Sequence, residues 1–210
     1  RLLLPALALL LAACSSAYYG AMEKVGVHKR DIMVDRVAAA RDSQAEAKQQ
    51  FLTAMEQFRS VVEFQGGDLE QKYHELDATL RRSETRAAAV RERIAAVDDV
   101  SEALFSEWHD EIGQYSSAAL RQASQRKYDA TKQKYAQLLK AMKKAEARLE
   151  PALVPLRDQV LFMKHNLNAR AIAGLDEEVA SVQGNVDQLV REMEAAIVQA
   201  DAFIAALQAE

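Results

Sequence analysis

Apolar residues return along this chain at alternating steps of four and three. The clearest run starts at Leu69 and continues through Tyr73, Leu76, Leu80, Ser83, Ala87, Val90, Ile94, Val97, Ser101 and Leu104 to Trp108. Spacing that averages 3.5 residues leaves a narrow apolar stripe on a helix, and burying such a stripe favours a left-handed supercoil. The same stepping recurs at Tyr128, Thr131, Tyr135, Leu138, Met142, Ala145 and Leu149. It recurs again from Leu175 through Val179, Val182, Val186, Leu189, Met193, Ala196, Ala200 and Phe203 to Leu207. A weaker first run has Val34 and Val37, an alanine-rich stretch, and then Phe51, Met55, Phe58 and Val62. At 1.5 Å per residue, the helix that begins at Leu69 makes a rod of about 65 Å.

Helix breakers divide the runs. Gln65-Gly66-Gly67 ends the first helix, with Asp68 as N-cap of the second. Gly113 with Ser116 and Ser117 marks the next turn, and Pro151 and Pro155 remove amide donors and interrupt the third helix. Gly174 followed by Asp176, Glu177 and Glu178 reads as a helix end and a new acidic first turn. Short connections force sequential helices antiparallel. The expected fold is all-α: an elongated antiparallel coiled-coil bundle of about four long helices over residues 34–210.

Composition agrees. Only 6 % of residues are aromatic, Gly and Pro number seven and three, and no segment alternates like a strand. Charge is distributed unevenly. Residues 121–148 carry nine bases against two acids, whereas 68–112 carry twelve acids against six bases and 175–210 eight acids against Arg191. A basic helix between two acidic ones selects its neighbours through interhelical pairs. The weaker alternative is a basic face offered to anionic lipid, cell-wall polymer or an acidic partner. The overall balance is acidic, without the basic face that nucleic-acid binding requires.

The N-terminus carries a different signal. Leu2 to Ala13 is apolar except for Pro5, too short to span about 30 Å of hydrocarbon as a helix, and it ends in Leu11-Ala12-Ala13-Cys14. This resembles the h-region and lipobox of a bacterial lipoprotein signal, with residues 1–13 removed and Cys14 acylated. Ser15, in place of aspartate, resembles the signal that sorts such proteins to the Gram-negative outer membrane, facing the periplasm. Cys14 is the sole cysteine, so its acylation leaves no disulfide to stabilise the fold. Residues 14–33 are expected to form a lipidated, juxtamembrane segment ahead of the bundle.

Reactive constellations are missing from the sequence. His28, His74, His109 and His165 are scattered, and zinc needs three or four converging ligands. There is no HExxH, GxSxG, phosphate loop or cysteine pair. No catalytic residue, metal, cofactor or small-molecule substrate is assigned. Trp108 reads as a core residue whose indole N–H needs a partner near the bundle end. Tyr73, Tyr128 and Tyr135 read as core residues with hydroxyls at the rim.

Two segments depart from the heptad. In residues 18–31, Tyr18 and Tyr19 suit a lipid headgroup interface, and His28, Lys29 and Arg30 suit phosphates. The equal alternative is a spacer in which Gly26 delays the first helix. In residues 158–172, four consecutive apolar residues from Val160 to Met163 cover more than one helix face. Lys164, His165, Asn166, Asn168 and Arg170 follow. With Leu161 and Phe162, these make the best candidate interface, although three other helices are available to cover the second face, which favours burial of Phe162.

The strings YYGAMEKVGVHKRDI, DEIGQYSS and DQVLFMKHNLNARAI resemble a bacterial envelope lipoprotein family catalogued only as a domain of unknown function. The resemblance spans nearly all of the mature chain and implies lipidation at Cys14, with no activity attached. The function expected is that of a lipid-anchored, non-enzymatic envelope protein: a coiled-coil scaffold, spacer or module binding an envelope protein or a second copy. The alternative is a lipid-binding or membrane-remodelling protein that uses the basic helix 121–148.

Overall fold

A computed structural model describes residues 18–64, 68–167 and 175–209, with the side chains of 176 and 177 excepted. Five long helices account for most of it: α1 (Lys29–Val62), α2 (Leu69–Ile112), α3 (Ala118–Glu146), α4 (Leu149–His165) and α5 (Asp176–Gln208). The fold is all-α, and no strand occurs among the described residues. Cys14, Ser15, Asn168, Arg170 and the expected turns at 65–67 and Gly174 lie outside them.

The seams are the core. On α2, every seam position from Leu76 to Leu104 is buried, and on α3 all of Tyr128, Thr131, Tyr135, Leu138, Met142 and Ala145 are. On α5 the buried stripe runs from Val182 to Leu207. The first helix corrects the weak sequence reading. Its buried stripe is Met33, Val37, Ala40, Gln44, Ala47, Phe51, Ala54, Phe58 and Val61, a full alternation of four and three. The alanines are seam residues that permit close helix approach, and Val61, not Val62, closes the stripe.

Helix ends follow capping chemistry. Asp68 accepts the Gln71 N–H at 3.1 Å, and Ser117 Oγ accepts the Leu120 N–H at 3.4 Å. The third rod is split in two, but the split falls upstream of both prolines, at Ala147 and Arg148, and the expected interruption at Pro155 is corrected. Ala147 is the residue four before Pro151, where the proline ring would meet the helical carbonyl. Pro155 is carried inside a helix that continues to His165.

Helix α1 packs against α2 and α5, while α3 and α4 each pack against α2 and α5. Contacts run in opposite sequence directions. Arg36 meets Asp99 whereas Gln57 meets Glu75, and Arg41 meets Asp201 whereas Lys48 meets Glu194. Trp108 donates its indole N–H to Ser124 Oγ at 3.0 Å, and Tyr135 donates its hydroxyl to Asp98 at 2.9 Å, both rim partners of the kind expected. Trp108 itself is half-buried and packs its ring edge-on against Tyr128.

The segment before α1 is part of this fold and not a free spacer, which moves the expected boundary at residue 34. Residues 18–24 are helical and end in a reversal at Gly26, whose φ of 84° is the left-handed conformation that glycine adopts freely. The Gly26 N–H donates to the Glu23 carbonyl at 3.0 Å and the Val27 N–H to the Met22 carbonyl at 3.0 Å, the bond pattern of a Schellman C-cap. The chain then enters α1 at His28, whose N–H donates to Asp31 at 3.4 Å. Tyr19, Ile32 and Met33 are buried in the common core.

One buried polar residue is out of keeping with the rest. Gln44 is fully buried on the α1 stripe, and neither its amide oxygen nor its nitrogen has a hydrogen-bond partner. A buried amide without a partner costs about 1–3 kcal/mol. Gln44→Met keeps the chain length and removes the polar atoms, so it should raise the urea midpoint by an amount equivalent to about 1–3 kcal/mol. An unchanged or lower midpoint in equilibrium unfolding would contradict this account of the site.

Candidate functional site

Three surfaces collect the residues singled out by sequence. The first is the hairpin made by residues 18–24 and the start of α1. Tyr19 is buried and donates its hydroxyl to Asp99 at 2.5 Å. The Arg36 guanidinium lies 5.9 Å from the Tyr18 ring and 5.7 Å from the Tyr19 ring, and it pairs with Asp99 at 3.3 Å. Lys29 bridges Glu23 and, at 2.7 Å, Glu107 of α2. Arg30 donates to the Leu207 carbonyl on α5.

These partners correct the headgroup reading for Tyr19, Lys29 and Arg30, whose functional groups are used inside the fold. Tyr18 remains 45 % exposed, and His28 is exposed. Arg36, Asp99, Glu23 and Glu107 were not singled out by sequence. Arg36, Asp99 and Glu107 lie on surface positions of heptad helices, where nothing distinguishes a charge that clamps a hairpin from one that is merely solvated.

The electrostatics of the hairpin describe a clamp. Burial raises the pKa of the Tyr19 phenol, and its bond to Asp99 raises it further, so the phenol stays a donor. Burial opposes the Lys29 charge, but hydrogen bonds to Glu107 and Glu23 outweigh it and raise the lysine pKa. The bond from Lys29 holds Glu23 below the usual carboxylate range. An open cleft of about 640 Å³ beside the hairpin is walled by Tyr19, Lys29, Asp99, Glu102, Glu107 and Asp110. A smaller one of about 250 Å³ lies among His28, Arg30, Trp108, Lys127 and Leu207. No group of three potential metal ligands converges among the described residues.

The second surface is α4. Leu149, Leu153, Leu156, Val160 and Met163 are buried, which continues the α3 seam. Leu161 is 60 % exposed, Phe162 41 % and Val154 44 %. The expected burial of Phe162 is therefore corrected, because α2 and α5 take the seam face and no described helix takes the other. Val154, Asp158, Leu161, Phe162 and His165 follow one another at helical spacing, so the exposed apolar residues form a stripe edged by Lys164 and His165, both exposed. Asn166 donates its side-chain amide to the Phe162 carbonyl at 2.9 Å and caps the helix end. Val154 was missed by sequence, and the signal for it was a second 3–4 stripe offset from the seam.

The third surface is the outer side of α3. Cross-helix pairing was expected to absorb its charge, and it does so at Lys144, which meets Glu192 of α5 at 2.9 Å. Lys132 lies over the Tyr128 and Phe105 rings. Arg126, Lys134 and Lys140 are exposed and have no ion-pair partner among the described residues. Pairing between helices is concentrated elsewhere: on α1, through Arg36, Arg41, Glu46 and Lys48, and between α2 and α4, through Glu84–Arg157 and Arg91–Glu150.

No described helix is long and apolar enough to cross a membrane. No curated protein matches the chain. One family profile does, over residues 18–207, from the reversed hairpin through the end of α5, and its description is "Protein of unknown function (DUF2959)". With that match covering all three surfaces, the chain belongs to the DUF2959 family.

Proposed function

We propose that this protein is a non-enzymatic envelope lipoprotein: an antiparallel coiled-coil bundle of four rods, α3 and α4 forming one of them, held to the outer membrane by acylated Cys14 and offering a docking surface to a periplasmic partner. The observation that carries the reading is the apolar stripe of Val154, Leu161 and Phe162. It is exposed on α4, which packs on α2 and α5, whereas residues 18–24 pack beside α1. Arg157 pairs with Glu84, so Phe162 lies near the Leu80 level of α2 and about 30 Å along the rod from Asp99. Large exposed apolar side chains rimmed by cations suit a partner that presents apolar residues and carboxylates. The lipobox supplies the anchor, since each buried CH₂ of an acyl chain contributes about 0.8 kcal/mol and more than one chain is needed for stable attachment.

A second reading rests on Arg126, Lys134 and Lys140, which leave α3 with a ridge of uncompensated positive charge. In it, the ridge binds anionic lipid, and attraction would weaken with salt.

Three outcomes test these readings. Cys14→Ser cannot form the thioether, so palmitate labelling should disappear and the protein should leave the membrane fraction; persistent labelling would refute the anchor. Phe162→Ala should shift the urea midpoint by less than about 1 kcal/mol, against the 3–5 kcal/mol of a buried aromatic, while photocrosslinks from position 165 to a partner disappear. A large loss of stability with crosslinks intact would return α4 to a purely structural role. Purified chain without the lipid should fail to float with phosphatidylglycerol vesicles at physiological salt, and flotation abolished by Lys134→Glu with Lys140→Glu would favour the second reading.

A further inference from the structure

The reversal at Gly26 determines where a lipid on Cys14 can hold the rod. Because the chain doubles back there, residues 18–24 run beside α1 away from the bundle end. Glu23 sits at Lys29, and Tyr18 and Tyr19 sit at Arg36. On α2 the same segment reaches from Glu107, beside Lys29, back to Asp99, which accepts the Tyr19 hydroxyl. Helix α2 continues past Asp99 to Ile112, a further rise of about 20 Å. The chain therefore leaves the described fold on the flank of the rod, in the groove between α1 and α2, well short of the end.

The four peptide units from Tyr18 to Cys14 cannot span more than about 14 Å in any conformation. An upright rod resting its near end on the bilayer would hold Tyr18 about 20 Å above the surface, out of reach of that tether. For the near end to clear the headgroups, the rod axis must lie within about 45° of the bilayer plane.

Resting on the anchor proposed above, we infer that the acylated protein lies along the membrane with its α1–α2 groove against the headgroups of a lipid bilayer. Tyr18, the exposed ring of the hairpin, is then at the interface, where an amphipathic aromatic is favoured. Because α3 and α4 contact α2 and α5, they form the opposite side of the bundle. The cationic ridge of α3 and the apolar stripe of α4 then face away from the anchoring membrane.

The test uses the full acylated chain in phosphatidylethanolamine–phosphatidylglycerol vesicles that carry a headgroup energy-transfer acceptor. Cys14 is blocked by its thioether, so a donor dye can be placed on single variants Gln71→Cys and Gln122→Cys, towards the two ends, and on Glu92→Cys and Gln137→Cys, on opposite sides. Glu92 is seven residues before Asp99 and shares its stripe, while Gln137 is exposed on α3. Donors at both ends should lose emission strongly, and Glu92 should be quenched more than Gln137. Inserting about a dozen Gly/Ser residues between Ala17 and Tyr18 should free the rod and restore emission at Gln71. Emission at Gln71 that is unquenched with the natural tether, with Gln122 quenched, would mean an upright rod and overturn the inference. So would equal quenching of Glu92 and Gln137. A free Cys14 thiol in the intact mass would instead overturn the anchor itself, and the orientation with it.

Discussion

The constraint on which this structure depends is that each long helix has a narrow apolar stripe that it must bury against its neighbours. The described core is built almost wholly from the 3–4 stripes of α1, α2, α3–α4 and α5. The only cysteine lies ahead of the first described residue, so no covalent link ties one described helix to another. Register is therefore carried by packing and by a few polar seam positions. Ser83 and Ser101 return their hydroxyls to the Thr79 and Asp98 carbonyls, which lets a small polar side chain sit at 0–2 % exposure without an orphaned group. Gln44 is the exception that has found no partner.

Charge works on a different scale. Surface pairs contribute about 0–1 kcal/mol each, so the ion pairs along α1 direct which helix lies where more than they hold it there. Their distribution divides the bundle into two sides. Around α1, Lys29, Arg36, Arg41 and Lys48 each meet a carboxylate on α2 or α5, whereas on α3 Arg126, Lys134 and Lys140 have no ion-pair partner among the described residues. The side with matched charge includes the hairpin, and the side with unmatched charge also bears the exposed apolar stripe of α4.

Much of this was legible in the sequence, for identifiable reasons. Heptad spacing is a local pattern, so α2, α3 and α5 and their buried faces could be read residue by residue. Asp68 could be read as a cap because capping involves neighbours three residues apart, whereas Ser117 was read only as part of a turn. The stripe of α1 was half-hidden, because alanines at 40 and 47 have too little side chain to stand out from a helix-forming background. The hairpin at 18–24 was misread because its partners are distant: Asp99 is eighty residues from Tyr19, and Leu207 is 177 residues from Arg30. A basic triplet near a membrane signal looks the same whether its charges face phosphate or are already paired. Phe162 was misjudged because the number of helices does not say which faces they cover.

The union of α1 with α5 has a consequence for how the chain folds. Helix α1 meets α5 across almost the whole described chain, and the Arg30–Leu207 bond lies at the closing point. Loop-closure entropy must be overcome before such a contact is rewarded, while the α1–α2 hairpin has no such delay. Assembly thus has a natural order, with α1–α2 forming early as a half-covered pair and α5 arriving as a keystone. Until it does, the apolar stripes of α1 and α3 stand open together, and exposed stripes of that kind favour contact with other chains.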